Sequence, residues 1–292
     1  MESSIIPLEF VFEHRLYLPL LGFLLFLAEM VKRKVRARGF IYGAFALILI
    51  FTFWTFQRNI VWNTEFALWS DSAKKSPNKA RPHNNIGIAY DKKRMYDEAI
   101  GKYQRALKID PNYVRAYNNL GFAYFNNGMY DEAIREYQRA LEIKSDFTEA
   151  HMNLGIAYAE KKMYDEAIKE YQRTLELKPG YAKAFYNLGD AYLNKKMYDK
   201  AIMAYQQALY INPNYAEAHN NLGTIYHNRE MYDEAIREYQ LALRLKPDLA
   251  MTHYNLGVIY YHREQYNLST KHIKNAKKLG YPVPSEFREM LQ

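Results

Sequence analysis

The chain has 292 residues, 49% of them hydrophobic, and no cysteine, so disulfides and thiolate metal centres are excluded and the redox compartment is not readable. That length and apolar content allow one large core or two modest units. The formal charge of +8 hints at an acidic partner, but residues 1–79 hold ten Lys/Arg against six Asp/Glu while residues 80–292 hold 30 against 26; charges of both signs interleave as on a solvated helical face, and no nucleic acid is expected as a partner.

Residues 1–15 carry three acidic side chains and no positive region ahead of an apolar run, unlike a secretory signal peptide. From Leu16 to Val31 the chain is apolar except for Glu29, with Pro19 in the first turn. Such a helix reaches about 24 Å at ~1.5 Å per residue, short of a ~30 Å hydrocarbon layer, and is a marginal span. Five cations follow between Lys32 and Arg38, then 17 uncharged residues from Phe40 to Phe56 that end in aromatic residues. This second stretch is apolar all round and flanked by cations, which points to a membrane span rather than a buried core helix. Residues 1–58 are therefore expected to form a membrane hairpin with spans at 16–31 and 40–56, and the lipid bilayer is an expected partner. The positive-inside bias assigns the 32–38 loop to the cytoplasm. It leaves both flanks extracytoplasmic, in a periplasm, at a cell exterior or in an ER lumen.

Residues 59–79 read as a worn half repeat, with Pro77 standing 34 residues before Pro111 and Trp69 standing 34 before Tyr103. The stripe Phe66, Trp69, Ala73 is expected to cap the array that follows. From residue 80 to 283 one pattern returns every 34 residues. It carries Gly87, Gly121, Gly155, Gly189, Gly223 and Gly257; then Tyr90 and its equivalents; Ala99 to Ala235; Tyr103 to Tyr239; and Pro111, Pro179, Pro213 and Pro247. His83, Ile86, Gly87 and Tyr90 fall on one helical stripe, and Ala99, Tyr103 and Ala106 on a facing one. Small Gly87 and Ala99 allow close approach, and Pro111 ends the second helix. Six units begin at Ala80, Val114, Thr148, Ala182, Ala216 and Ala250. In the last, Ser269 and Ile273 replace Ala and Tyr and four lysines make the second helix polar, as befits a terminal unit. Ser145 stands where other units have proline, and Ser145-Asp146 can still end a helix. Phe287, Met290 and Leu291 suggest a short cap within 284–292.

This period, built on small and aromatic columns, resembles the tetratricopeptide repeat. The resemblance implies an α-solenoid, a right-handed superhelix of helix-turn-helix repeats with a concave inner surface; with the two apolar runs ahead of it, the expected fold is all-α, two N-terminal transmembrane helices followed by that solenoid. The resemblance also implies a scaffold that binds proteins or peptides in extended conformation.

The most informative column is asparagine: Asn85, Asn119, Asn153, Asn187, Asn221 and Asn255. An amide offers both a donor and an acceptor, so a row of them can hold a peptide backbone without reading its side chains. The column resembles the asparagine ladder in the repeat domain of nucleocytoplasmic O-GlcNAc transferases. The same amides can instead bond a neighbouring helix. Adjacent columns drifted between repeats, as in Ile88, Phe122, Ile156, Asp190, Thr224 and Val258, so copying alone does not explain the persistence of asparagine. His83, His151, His219 and His253 share a column with Tyr117 and Phe185, which favours packing over metal binding. No phosphate loop, Ser/His/Asp order, HExxH helix or paired-carboxylate site stands out, so no catalytic residue, metal or cofactor is expected and the chain alone is not an enzyme. The recurrent Tyr-Asp-Glu-Ala puts carboxylates in the first turn of the second helix, where they favour the helix dipole.

The stretch Phe12-Glu13-His14-Arg15-Leu16-Tyr17-Leu18-Pro19, followed by an apolar run, a basic loop and a further span, is similar to the C-terminal part of transmembrane, repeat-bearing O-mannosyltransferases of GT-C type and their bacterial relatives. In that family a Glu-Arg-x-Leu-Tyr-Leu-Pro-like stretch precedes the last spans and the repeats follow on the lumenal side; here His14 separates Glu13 from Arg15. The family's catalytic acidic motif lies on an early loop with no counterpart in this sequence. The resemblance therefore implies an acceptor-recognition portion or subunit, with a multi-spanning glycosyltransferase as a further partner.

Overall fold

In the computed structural model the described residues are 49–50 and 64–287. The two expected spans lie outside the described residues apart from Leu49 and Ile50, as do Met290 and Leu291. Among the described residues no helix is long and apolar enough to cross a membrane.

From Glu65 to Lys278 the described chain forms thirteen α-helices. A single helix α1 (Glu65–Lys75) is followed by six hairpins: α2 (Ala80–Asp91) with α3 (Tyr96–Ile109), α4 (Val114–Asn126) with α5 (Tyr130–Ile143), α6 (Thr148–Glu160) with α7 (Tyr164–Leu177), α8 (Ala182–Asn194) with α9 (Tyr198–Ile211), α10 (Ala216–Asn228) with α11 (Tyr232–Leu245), and α12 (Ala250–His262) with α13 (Tyr266–Lys278). A 3-10 turn at Ser285–Phe287 follows.

Each hairpin has local causes. In α5, Ala133, Ile134, Tyr137 and Ala140 are buried at helical spacing, and Asp131 and Glu132 sit in the first turn beside the positive end of the dipole. The second helices stop because the next residues are extended. Asp110, with φ −130 and ψ 94, precedes Pro111, which disfavours helix in the residue before it. The turn between paired helices uses one left-handed residue at the same register in every repeat: Arg94, Gly128, Lys162, Lys196, Glu230 and Glu264. Only Gly128 adopts it without the roughly 1 kcal/mol that a Cβ costs there.

Close approach of the paired helices rests on glycine. A Cβ on Gly155 would stand 2.6 Å from Cε1 of Tyr171, and a Cβ on Gly121 would stand 2.7 Å from Cε1 of Tyr137. The tyrosine rings therefore lie in space that the absent side chain leaves, and both are almost fully buried. Truncating Tyr137 or Tyr171 to alanine costs about 3–5 kcal/mol, the range for buried aromatics. The core is a string of clusters rather than one nucleus; its middle joins α6, α7 and α8 through Met152, Ile168, Tyr171 and Leu188.

First helices of successive repeats touch directly, α2 with α4, α4 with α6 and α6 with α8, while successive second helices make no comparable contact. The first helices thus form the inner wall and the second helices the outer one. Exposed ion pairs join consecutive turns, Lys161 to Asp131, Lys195 to Asp165, Arg229 to Asp199 and Arg263 to Asp233. The first-turn aspartates therefore do more than favour a dipole, although solvent screens each exposed pair and leaves it little weight in stability.

At one end α1 packs on α2. Phe66 meets Tyr90 edge-on at 5.2 Å, and Arg81 lies 5.8 Å over Trp69. At the other, Tyr281 stacks on Tyr254 at 4.7 Å and buried Phe287 meets Tyr261 edge-on at 5.3 Å. Where Ser269 replaces alanine, its Oγ donates to the Gly257 carbonyl at 2.8 Å, so the polar atom is satisfied inside the hairpin.

Candidate peptide-binding groove

The inner wall is built from three columns on the first helices. The asparagine column is half-buried in every repeat. Three residues after each asparagine comes Ile88, Phe122, Ile156, Asp190, Thr224 or Val258. One residue before it comes Asn84, Asn118, Met152, Tyr186, Asn220 or Tyr254.

The amide nitrogens face the neighbouring repeat or the hairpin itself. Asn119 Nδ2 donates to Asn84 Oδ1 and Asn153 Nδ2 donates to Asn118 Oδ1, both at 3.0 Å and both one repeat back. Asn221 Nδ2 donates to Asp190 Oδ1 at 2.8 Å and lies 3.3 Å from the hydroxyls of Tyr186 and Tyr205. Asn255 Nδ2 donates to the Tyr239 hydroxyl at 3.2 Å, and Asn187 approaches the hydroxyl of Tyr171. Asn85 uses its Oδ1 instead, accepting from Asn84 at 3.1 Å. Met152 has no acceptor to offer Asn187, which explains the break in the run at that step. Of the two uses of the column read from the sequence, the structure shows bonding to a neighbouring helix: the nitrogens stack repeats, while the Oδ1 atoms of Asn119 and Asn153 carry no intramolecular hydrogen bond among the described residues.

Sequence reasoning missed two carboxylates that reach this wall. Tyr205 donates to Asp190 at 2.5 Å, and Asp190 also accepts from Asn221. Burial pushes the Asp190 carboxyl above its ordinary range, and these hydrogen bonds oppose the shift. In the first repeat Tyr103 donates to Asp91 Oδ2 at 2.5 Å, while Asp91 Oδ1 is buried without a partner. Burial raises Asp91 to about 6, again opposed by its tyrosine. The link to sequence is the glycine column: the ring that fills the glycine's space brings a phenol through to the inner wall, where some acceptor must meet it. Two registers serve this role, Asp91 in one and Asp190 and Thr224 together in another. A column search cannot find a role that moves between columns. Phe122 was also passed over; it is 44% exposed on this wall.

The histidine column proves to be a latch between repeats. His151 Nε2 lies 3.0 Å from the Ser145 carbonyl, so Ser145 supplies the same acceptor as Pro77, Pro213 and Pro247 do for their histidines. His151 Nδ1 lies 2.6 Å from Glu170, and His219 repeats the arrangement with Glu238. His253 faces His272 at 2.9 Å, and the Nδ1 of His83 is buried without a partner. Among the described residues no cluster of three or more His, Cys, Asp or Glu is spaced to hold a metal ion.

Stacked helical hairpins with an amide-lined inner wall define an interaction scaffold. Tetratricopeptide-repeat models match residues 95–128, 157–196 and 224–262, residues 114–147 and 182–215, and residues 204–237, together more than half of the sequence. The chain belongs to the tetratricopeptide-repeat family, whose members bind peptides or proteins and are typically not enzymes. It is similar to the crystal structure of MamA, at 32% identity over 57% of this chain and 97% of that one, with a TM-score of 0.53. The fold is shared with YrrB, described as a TPR protein with an unusual peptide-binding site, at 22% identity over 68% of this chain and 97% of that chain, TM-score 0.54. Among curated proteins it is 31% identical over 110 residues to the protein O-mannosyl-transferase Tmtc3 of Drosophila melanogaster. That match spans 35% of this chain and 12% of the relative.

Proposed function

We propose that the chain is a membrane-anchored scaffold whose inner wall holds extended protein segments on the extracytoplasmic side. The observation that carries this reading is the run of half-buried amides whose outward oxygens at Asn119 and Asn153 are unbonded: such acceptors take backbone N–H groups of a chain that has no internal hydrogen bonds. The peptide-binding description of YrrB is consistent with the reading. Residues 16–31 and 40–56 supply the anchor, and the cations of 32–38 set its orientation.

The test is peptide affinity after replacing Asn119, Asn153 and Asn187 together by alanine, using peptides selected from an unbiased displayed library on the full chain in detergent. Circular dichroism confirms that the variant keeps its helices, because the same amides also join repeats. Affinity falls at least about tenfold when hydrogen bonds of ~1 kcal/mol each are lost from several repeats. Unchanged affinity rejects the ladder. A reporter fused after Gln292 that is active only in the cytoplasm rejects the compartment.

A second reading is favoured by the Tmtc3 match and by the Phe12–Pro19 stretch. Here the chain recognises acceptors for an O-glycosyltransferase that uses a lipid-linked sugar, with the catalytic spans on other polypeptide sequence. Co-purification with a multi-spanning glycosyltransferase distinguishes it from the free-standing scaffold.

A further inference from the structure

We propose that α13 is an acid-released terminal helix, closed on α12 at neutral pH by a histidine pair, His253 with His272, that shares one proton and lets go when each ring takes its own. The equivalent histidine–carboxylate pairs keep the third and fifth hairpins shut in acid. This device is independent of what the inner wall binds.

The pair occupies a register that the repeats use in two ways. In the third repeat His151 of α6 meets Glu170 of α7, and in the fifth His219 of α10 meets Glu238 of α11, both at 2.6 Å. In the sixth a second histidine replaces the carboxylate, and His253 Nδ1 stands 2.9 Å from His272 Nδ1. All three first-helix rings turn Nε2 toward a carbonyl of the preceding connection, that of Ser145, Pro213 or Pro247. A carbonyl only accepts, so His253 Nε2 carries a proton. Its Nδ1 is then the acceptor while the ring is neutral, and His272 Nδ1 donates to it.

This arrangement fixes the response to acid. One added proton fits on the far nitrogen of His272. A second must go to His253 Nδ1, where it would point at the donor facing it, so both rings become charged only after the contact opens. In a His–Glu pair the added proton instead forms a charge-assisted hydrogen bond. Separated histidines titrate at about 6.5, so below that pH the open helix takes up a proton that the closed one has no place for.

The surroundings supply no counter-charge. α12 and α13 contain no Asp or Glu, and Lys271, Lys274, Lys277 and Lys278 of α13 are all exposed. Burial lowers the pKa of both rings, and Lys271 adds to it. The Tyr260 ring lies 5.6 Å from His272, with its hydroxyl accepting from Gln240 of α11. On α11, Glu238 is taken by His219, Glu234 by Arg237 and Asp233 by Arg263. Asp248 and Glu264, in the two connections, are exposed and make no ion pair among the described residues. Position matters as well. Whereas α7 is packed between α6 and α8, α13 has substantial contact with α12 alone among the described helices. Its release uncovers the α12 face around Gly257, where Ile273 is seated.

Hydrogen exchange followed by mass spectrometry on the full chain in detergent, corrected for the intrinsic effect of pH on exchange, compares pH 7.5 with pH 5. In the parent, opening of α13 is expected to rise about tenfold or more at pH 5, the effect of one excluded proton. His272→Glu installs the pair of the third and fifth hairpins and should abolish the rise. His272→Gln should do the same, because its amide cannot take a proton and can turn to accept from a charged His253. Glu170→His builds a histidine pair between α6 and α7 and should bring the acid response to α7. A parent whose α13 is equally protected at both pH values overturns the proposal. So does a rise that survives both His272 variants, or a Glu170→His chain whose α7 is as well protected at pH 5 as at pH 7.5.

Discussion

Replacing Gly155 by alanine tests the packing on which the inner wall depends. The new Cβ would stand 2.6, 2.8 and 3.2 Å from Cε1, Cδ1 and Cζ of Tyr171, a ring 2% exposed with no room to retreat. Normal carbon contacts are about 3.5–4.0 Å, so the helices must separate or the ring must leave its rotamer. Overpacking of this kind costs about 1–3 kcal/mol, and three ring atoms in conflict place it near the top of that range. Alanine returns about 1 kcal/mol of helix propensity, which leaves a net loss of about 2 kcal/mol. Gly101 supplies the contrast, because it is also helical but its Cβ would meet nothing within 4 Å. Gly101→Ala should therefore stabilise by about 0.5–1 kcal/mol. Urea titration of the full chain followed by circular dichroism reads both midpoints. A Gly155→Ala variant as stable as the parent refutes the close-approach argument, since helix propensity alone predicts a gain at both sites.

The two histidine environments predict opposite responses to acid. At His151, burial lowers the pKa but is outweighed by the hydrogen bond to Glu170, the Ser145 carbonyl and the Glu170 charge, and the net shift is upward. A raised histidine contributes stability that is complete below its unfolded value of about 6.5 and is lost as pH rises through the folded one. His272, buried against His253 and beside Lys271, is lowered to about 4, so its contribution is complete above about 6.5 and is lost as pH falls toward 4. Hydrogen exchange at pH 5 against pH 7.5 should show the last hairpin opening sooner at pH 5 while the third is protected, and Glu170→Gln should remove the protection in the third. Asp91, raised to about 6, makes the first repeat lose stability as pH rises from about 4 through 6. Asp91→Asn should abolish that slope in urea midpoints measured across the interval.

The hairpins were legible because glycine, alanine and tyrosine recur at a fixed period and each meets a steric requirement within its own repeat. The asparagine column was legible as a persistent row, but the direction of its amides was not. Whether Asn119 reaches Asn84 depends on how α2 and α4 pack, a relation between repeats that no single repeat encodes. Asp190 and Asp91 were hidden for a related reason: each answers a tyrosine hydroxyl from a different register, so neither stands out in its column. The histidines read as packing residues, and His151 is buried, yet its carboxylate partner lies nineteen positions later on the facing helix and appears only once the hairpin is closed. Residues 1–58 carry the anchoring and orientation proposals on their composition and charge alone.

The central claim is that ligands lie along the first helices. A photo-crosslinking amino acid placed at position 122 on the inner wall, or at 203 on the outer face of α9, measures this directly with a library-selected peptide. The account predicts capture from position 122 and none from position 203. Equal capture from both, or capture from 203 alone, would contradict it.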